Sequence, residues 1–320
     1  LPLSKKGGFA ATHILVPRGG VVVHINAFNF PVWGLLEKMA PSFLAGMPCI
    51  AKPATATSYL TEALVRLMVE SGLLPEGSLQ LVIGGTGDLL DRLQGSDMVT
   101  FTGSADTAAM LRVRPNLVRQ SVPFNAEADS LNCAMLAPDI GPDDPEFDLF
   151  VKEVAREMTV KAGQKCTAIR RAIVPRRHLD AVATRLRERL DQVVLGDPAL
   201  EAVRMGALAS HAQAADVAER VAALRAVASL VNDPGRMAPV GDGVAEGAFF
   251  APMLLLCDKP FDTDTAHEVE AFGPVSTLMP YDGDIDEALA LAARGRGSLV
   301  GTLVTRSPAI AAHAIPQAAA

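Results

Sequence analysis

The chain has 320 residues, 49% of them hydrophobic and 20% charged, a balance that supports a large buried core and excludes a disordered polymer. The formal charge of -7 leaves no basic face for nucleic acid or for an anionic membrane surface, and favours a small-molecule partner. Four cysteines at no paired spacing and six dispersed histidines form neither a disulfide framework nor a zinc pattern. No metal is expected, and the thiols fit a reduced, cytoplasmic setting.

The first 18 or so residues, FAATHILVP among them, read as extended and stand apart from the rest of the chain. From Gly20 a regular alternation begins: a buried strand at 21–25, a helix over 31–46 ending at Gly46, a strand at 48–52 and a helix over 57–72. The strand SLQLVIG, the short helix DLLDRL and the strand MVTFTG at 98–103 continue it, the last running into SADTAAML. Short apolar strands separated by helices predict parallel βαβ units, because parallel neighbours need crossover connections. A second series starts near Asp129 with the strand LNCAMLA, a helix from about Pro145 to Ala162, the strand IRRAIVP and the helix LDAVATRLRERLDQVV. The helix AQAADVAERVAALRAVA, the strands PMLLLC and PVSTLMP, the helix DIDEALALAA and the strand LVGTLVT complete it. Two α/β domains in tandem fit this order, with no run long and apolar enough for a membrane span.

Several positions can carry chemistry. Cys166 follows Gly163-Gln164-Lys165, which break the long helix, and Lys161 and Lys165 favour a thiolate. An isolated cysteine is more often a small buried hydrophobe, the reading kept for Cys49, Cys133 and Cys257 within apolar runs. Asn29 follows a strand and precedes Pro31, so it is either a turn residue or an amide that donates to a developing oxyanion. Glu127, at the junction of the two series, is either a solvated carboxylate or a general base. Gly103 and Ser104 join a strand to a helix whose N–H groups suit a pyrophosphate, although GxGxxG is absent. Lys52 alone reads as a surface lysine.

The motifs NFP (29–31), KPA (52–54), FTGS (101–104), the isolated Glu127, GQKC (163–166) and EAFGP (270–274) resemble, in this order, the aldehyde dehydrogenase superfamily. Glu127 precedes Cys166 by 39 positions (166 minus 127), close to the family's spacing. The resemblance implies a Rossmann-like cofactor domain at 19–128 and an α/β catalytic domain at 129–320. Residues 1–18 would form part of the oligomerisation arm of a homo-oligomer, and elements would be missing at both ends. It makes Cys166 the nucleophile, Asn29 an oxyanion donor and Glu127 the base that activates water against the thioester. Lys52 would bind the adenosine ribose or its phosphate and Ser104 the pyrophosphate, while Glu270 and Phe272 position the nicotinamide ribose and ring.

Where many NAD-using members carry a glutamate three residues after the lysine, this chain has Thr55, which removes a repulsion toward a 2′-phosphate. NADP is therefore expected, with NAD use left open. Ala128-Asp129 replace the glycine pair that usually follows the base, and Phe28 stands where tryptophan is common. The stretches HINAFNFPVWGLLEKMAPSFLAGMP, KPATATS, EADSLN and VAREMTVKAGQKCTAIRR are similar to the dehydrogenase domains of bifunctional ring-opening proteins of phenylacetate degradation. These join to an enoyl-CoA-hydratase-like domain that hydrolyses oxepin-CoA, and oxidise 3-oxo-5,6-dehydrosuberyl-CoA semialdehyde. The 3,4-dehydroadipyl-CoA semialdehyde dehydrogenases of benzoyl-CoA degradation are the second resemblance. The alternatives are an acylating dehydrogenase, against which Glu127 argues, and an inactive piece of a larger enzyme.

Overall fold

The computed structural model describes residue 8, residues 11–296 and residues 298–319. Residues 1–7, 9 and 10 of the expected arm, with Gly297 and Ala320 of the expected C-terminal run, lie outside them. The chain divides into two compact units, 1–128 and 129–320.

In the first unit β1 (Val22–Ile25) leads to α1 (Trp33–Leu44), β2 (Cys49–Lys52), α2 (Ser58–Glu70), β3 (Leu79–Leu81) and β4 (Met98–Gly103). After these come α3 (Ala105–Arg112), α4 (Pro115–Arg119) and β5 (Phe124–Ala128). The sheet is parallel in the order β3-β2-β1-β4-β5. Alternate side chains of each strand point to opposite faces. Val23, Ile25, Val99 and Phe101 pack with Ala108 and Leu111 of α3 and Leu117 of α4, while Cys49 and Ala51 pack with Leu35 and Met39 of α1 and Val65 of α2. Strand order reverses between β1 and β4, the switch point outside which parallel α/β sheets take their ligands.

In the second unit β6 (Cys133–Leu136) leads to α5 (Pro145–Thr159), β7 (Arg171–Pro175), α6 (Leu179–Asp191), α7 (His211–Arg225) and β8 (Ser229–Leu230). There follow β9 (Met253–Leu256), α8 (Thr265–Glu268), β10 (Val275–Tyr281), α9 (Ile285–Ala293), β11 (Gly301–Val304) and α10 (Pro308–Ala318). The sheet runs β11-β6-β7-β10-β9-β8, parallel except at the β8–β9 edge. Phe147, Phe150 and Val154 of α5 with Val182 and Leu186 of α6 cover one face; Val217 and Val221 of α7 with Leu291 of α9 belong to the core of the other.

Two elements depart from the sequence expectation. Helix α5 stops at Thr159 rather than Ala162, because Lys161 (φ 54°) and Ala162 (φ 51°) adopt left-handed backbone and Val160–Gly163 turns separately. Glu127 does stand where the two series meet, since the first unit ends at Ala128, but it lies within a strand the sequence reading did not assign, β5, which among the described residues pairs with β4 at the edge of the sheet.

Candidate active site

In the first unit the strand register brings the expected residues to one edge of the sheet. Ile25 pairs with both Lys52 and Phe101, and Thr102 pairs with Glu127, so the carboxyl ends of β1, β2, β4 and β5 lie side by side. Asn29 sits in the turn that leaves β1, and that turn is fastened at three carbonyls. Thr57 Oγ1 donates to Phe28 O (3.0 Å), Gly34 N–H to Phe30 O (2.9 Å) and Thr61 Oγ1 to Pro31 O (2.8 Å).

Lys52 ends β2, its ammonium donating to Pro53 O at 3.2 Å, and partial burial pulls its pKa below the usual lysine value. Thr55 is exposed and opens the turn before α2. Gly103 closes β4, and a side chain there would meet the Phe101 ring at 2.6 Å. Ser104 caps α3, its Oγ accepting from Thr107 N–H at 3.3 Å. A basic side chain at one strand end and a helix N-terminus at another are groups that can meet the phosphates of a dinucleotide.

Reasoning from sequence missed Lys38. It stands on the sheet-facing side of α1, where its ammonium donates to Asn26 Oδ1 at 3.1 Å and to Thr102 Oγ1. Lys38 and Glu127 line a cleft of roughly 430 Å³, together with Glu37, Ser42, Thr100 and Thr102. Burial lowers the pKa of Lys38 while Glu37 and Glu127 oppose the shift, and burial raises Glu37. The signal in the sequence was a lysine beside Leu35 and Met39 on an otherwise apolar helix face. Further into the sheet His24 is fully buried, its Nδ1 2.6 Å from Thr100 Oγ1, and burial brings its pKa down to about 4.

In the second unit Cys166 lies on a turn after three successive left-handed residues, the third being Gly163 at φ 67°. It is partly exposed, whereas Cys49, Cys133 and Cys257 are buried, and burial raises the thiols of all three, Cys49 to about 11. Asn132 Nδ2 donates to Cys166 O at 2.8 Å and to Ala168 O at 3.1 Å, which fixes the turn. Lys165 Nζ is engaged by Glu157 at 2.7 and 2.8 Å. Lys161 has its pKa lowered first by burial and then by Lys165, with Cys166 opposing.

Glu270 and Phe272 lie in the segment between α8 and β10, tied to the cysteine turn by Gln164 Nε2, which donates to Phe272 O at 3.3 Å. Glu270 is largely buried; its Oε2 accepts from Ser130 N–H at 3.2 Å and its Oε1 from Arg170 Nε at 3.3 Å. Burial raises its pKa, and Arg170 counters that shift. Asp129 holds φ 41°, so the position where glycine is usual keeps a glycine-like backbone without glycine. Among the described residues no group of three or more His, Cys, Asp or Glu side chains can hold a metal, and no helix is long and apolar enough to cross a membrane.

Comparison with known proteins places this geometry. The profile described as "Aldehyde dehydrogenase family" matches residues 2–320. 3,4-Dehydroadipyl-CoA semialdehyde dehydrogenase of Aromatoleum evansii is 49% identical over 316 residues, 98% of this chain and 61% of that protein. Among solved structures, aldehyde dehydrogenase C of Pseudomonas syringae, complexed with NAD+ and octanal, superposes with a TM-score of 0.80 at 26% identity, covering 93% of this chain and 59% of its own. Lactaldehyde dehydrogenase of Escherichia coli gives 0.79 at 27%, covering 93% and 60%. The chain thus spans about three-fifths of the length of the proteins it matches.

Proposed function

The chain belongs to the aldehyde dehydrogenase family, and on that premise we propose that it catalyses the NADP-dependent oxidation of a CoA-thioester semialdehyde to the acid during aromatic degradation. The observation that carries the chemistry is the contrast among the cysteines: Cys166 alone is partly exposed, on a turn beside Lys161 and Lys165, while the other three are buried with raised pKa.

The thiolate of Cys166 adds to the aldehyde carbonyl, and the resulting oxyanion is stabilised by the Asn29 amide and the Cys166 backbone N–H. Loss of hydride from the former carbonyl carbon leaves an acyl thioester on Cys166. Glu127 removes a proton from water as that water attacks the thioester, and the acid departs with return of the thiol. Lys52, Thr55, Gly103 and Ser104 of the first unit would hold the adenosine and pyrophosphate, and Glu270 and Phe272 of the second the nicotinamide riboside. Bound NADP+ would supply the acceptor for that hydride.

For the acyl chain, the 49% identity to a 3,4-dehydroadipyl-CoA enzyme supports that substrate, and the stretches shared with ring-opening proteins support 3-oxo-5,6-dehydrosuberyl-CoA semialdehyde of phenylacetate degradation. A homo-oligomer in the cytoplasm, with a hydratase-like domain fused beyond this chain, completes the proposal. Rates with NADP and NAD on both CoA semialdehydes and on simple free aldehydes test it. Equal rates on the free aldehydes would remove the CoA substrate class.

A further inference from the structure

Arg170 is one residue upstream of β7 and takes no part in the chemistry proposed for Cys166, yet it is among the most buried charges in the second unit. Its guanidinium is spread over two loops. On the cysteine side, Nη2 donates to Gly163 O at 2.8 Å and to Lys165 O at 3.3 Å. On the other, Nη1 donates to Gly273 O at 2.7 Å, Nε to Glu270 Oε1 at 3.3 Å, and the cation stands 5.2 Å from the centre of the Phe272 ring. A lysine could not make this fork. The Gln164 amide and the close approach of Gly163 to Gly273 join the same two loops.

We propose that Arg170 is a positioning residue that joins the Cys166 turn to the Glu270–Gly273 segment and favours the thiolate of Cys166, with Glu270 setting how much of its charge the thiol feels. This rests on the roles proposed for Cys166 and Glu270. The cation is buried among acceptors, so its charge is poorly screened by water. Burial works against that charge, and Glu270, Glu157 and a Cys166 thiolate all act to keep it. Other charges around the turn are Lys161, Lys165 paired with Glu157, and Asp129, which acts on Glu270. None of these side chains is itself changed in a variant of Arg170 or Glu270. Occupation of Glu270 by a ribose hydroxyl would then alter its hold on Arg170, and through Arg170 the thiol.

The two members of the pair must therefore have opposite effects on the thiol, which a merely structural arginine would not require. The test is alkylation of Cys166 by iodoacetamide in the purified protein between about pH 5 and about pH 9, followed by peptide mass spectrometry. Arg170→Gln is expected to move the midpoint to higher pH and to slow alkylation near neutrality about five-fold. Glu270→Gln, nearly isosteric, is expected to move it to lower pH and to speed alkylation about two-fold. Shifts in the same direction, or no shift in either variant, overturn the proposal. Should Arg170→Gln lose its cooperative melt, Glu270→Gln decides alone: an unmoved or raised midpoint overturns it. Alkylation needs neither aldehyde nor dinucleotide, so a failed dehydrogenase assay and a failed thiol shift are separate results.

Discussion

Gly163 holds a left-handed backbone at φ 67°, and a Cβ added there would collide with the Gly273 carbonyl, meeting Gly273 C at 2.6 Å and Pro274 Cα at 2.9 Å. In Gly163→Ala the left-handed conformation costs about 1 kcal/mol for an L-residue with a side chain. The overlap adds about 1 to 3 kcal/mol, because both partners are backbone and neither can rotate away. A total of about 3 kcal/mol lowers the melting temperature of a unit of this size by about 6 to 12 °C. Scanning calorimetry reads the shift directly. The control is Gly206→Ala, where nothing lies within 4 Å of the added carbon and melting should stay within about 1 °C. Because Gly163 O also accepts from Arg170, Gly163→Ala should weaken dinucleotide binding as well. A Gly163→Ala protein that melts with the wild type, or a Gly206→Ala protein that loses as much, refutes the close-approach reasoning.

His24 is protonated in the unfolded chain below about 6.5 but in the fold only below about 4, so the fold loses stability as pH drops through that window and the loss is complete below it. The loss amounts to about 3 kcal/mol; His24→Gln should remove it from urea-denaturation curves compared at neutral and acid pH, and an unchanged pH slope would count against a neutral buried imidazole. Lys38→Met removes the ammonium between Asn26 and Thr102 and leaves both acceptors unpaired, which should cost about 1 to 3 kcal/mol by the same denaturation assay. Thr55→Glu should raise the KM for NADP at least about ten-fold while leaving that for NAD within about two-fold, since a carboxylate repels a 2′-phosphate; an unchanged ratio of the two constants would remove Thr55 from cofactor selection.

Much of the framework was legible because buried parallel strands carry short apolar runs. VVVHI, PCIAK and MVTFTG each contain the strand observed, PVSTLMP holds all of β10 but Tyr281, and the helices between them begin within a few residues of where capping and periodicity place them. β5 was not read as a strand: FNAEA does alternate, with Phe124, Ala126 and Ala128 packed against the core of the first unit, but the stretch is short and two of its three apolar residues are alanines, so the signal is weak until β4 is seen beside it. The early end of α5 was also hidden, since left-handed Lys161 and Ala162 have no glycine signature. The roles proposed for Cys166, Asn29, Glu127 and Glu270 come from family motifs rather than from local physics. Lys38 and Arg170 were missed because their importance arises from partners distant in sequence, Thr102 for one and Glu270 and Gly273 for the other.

The two central steps of the proposed reaction are acyl transfer to Cys166 and its release by Glu127. The most direct measurement is pre-steady-state NADPH formation with Glu127→Gln on a CoA-linked semialdehyde, with mass spectrometry of the trapped protein. A burst of NADPH, then stalled turnover with the acyl mass on the peptide that holds Cys166, is the expected result. Undiminished turnover, or an acyl group on any other residue, would contradict it.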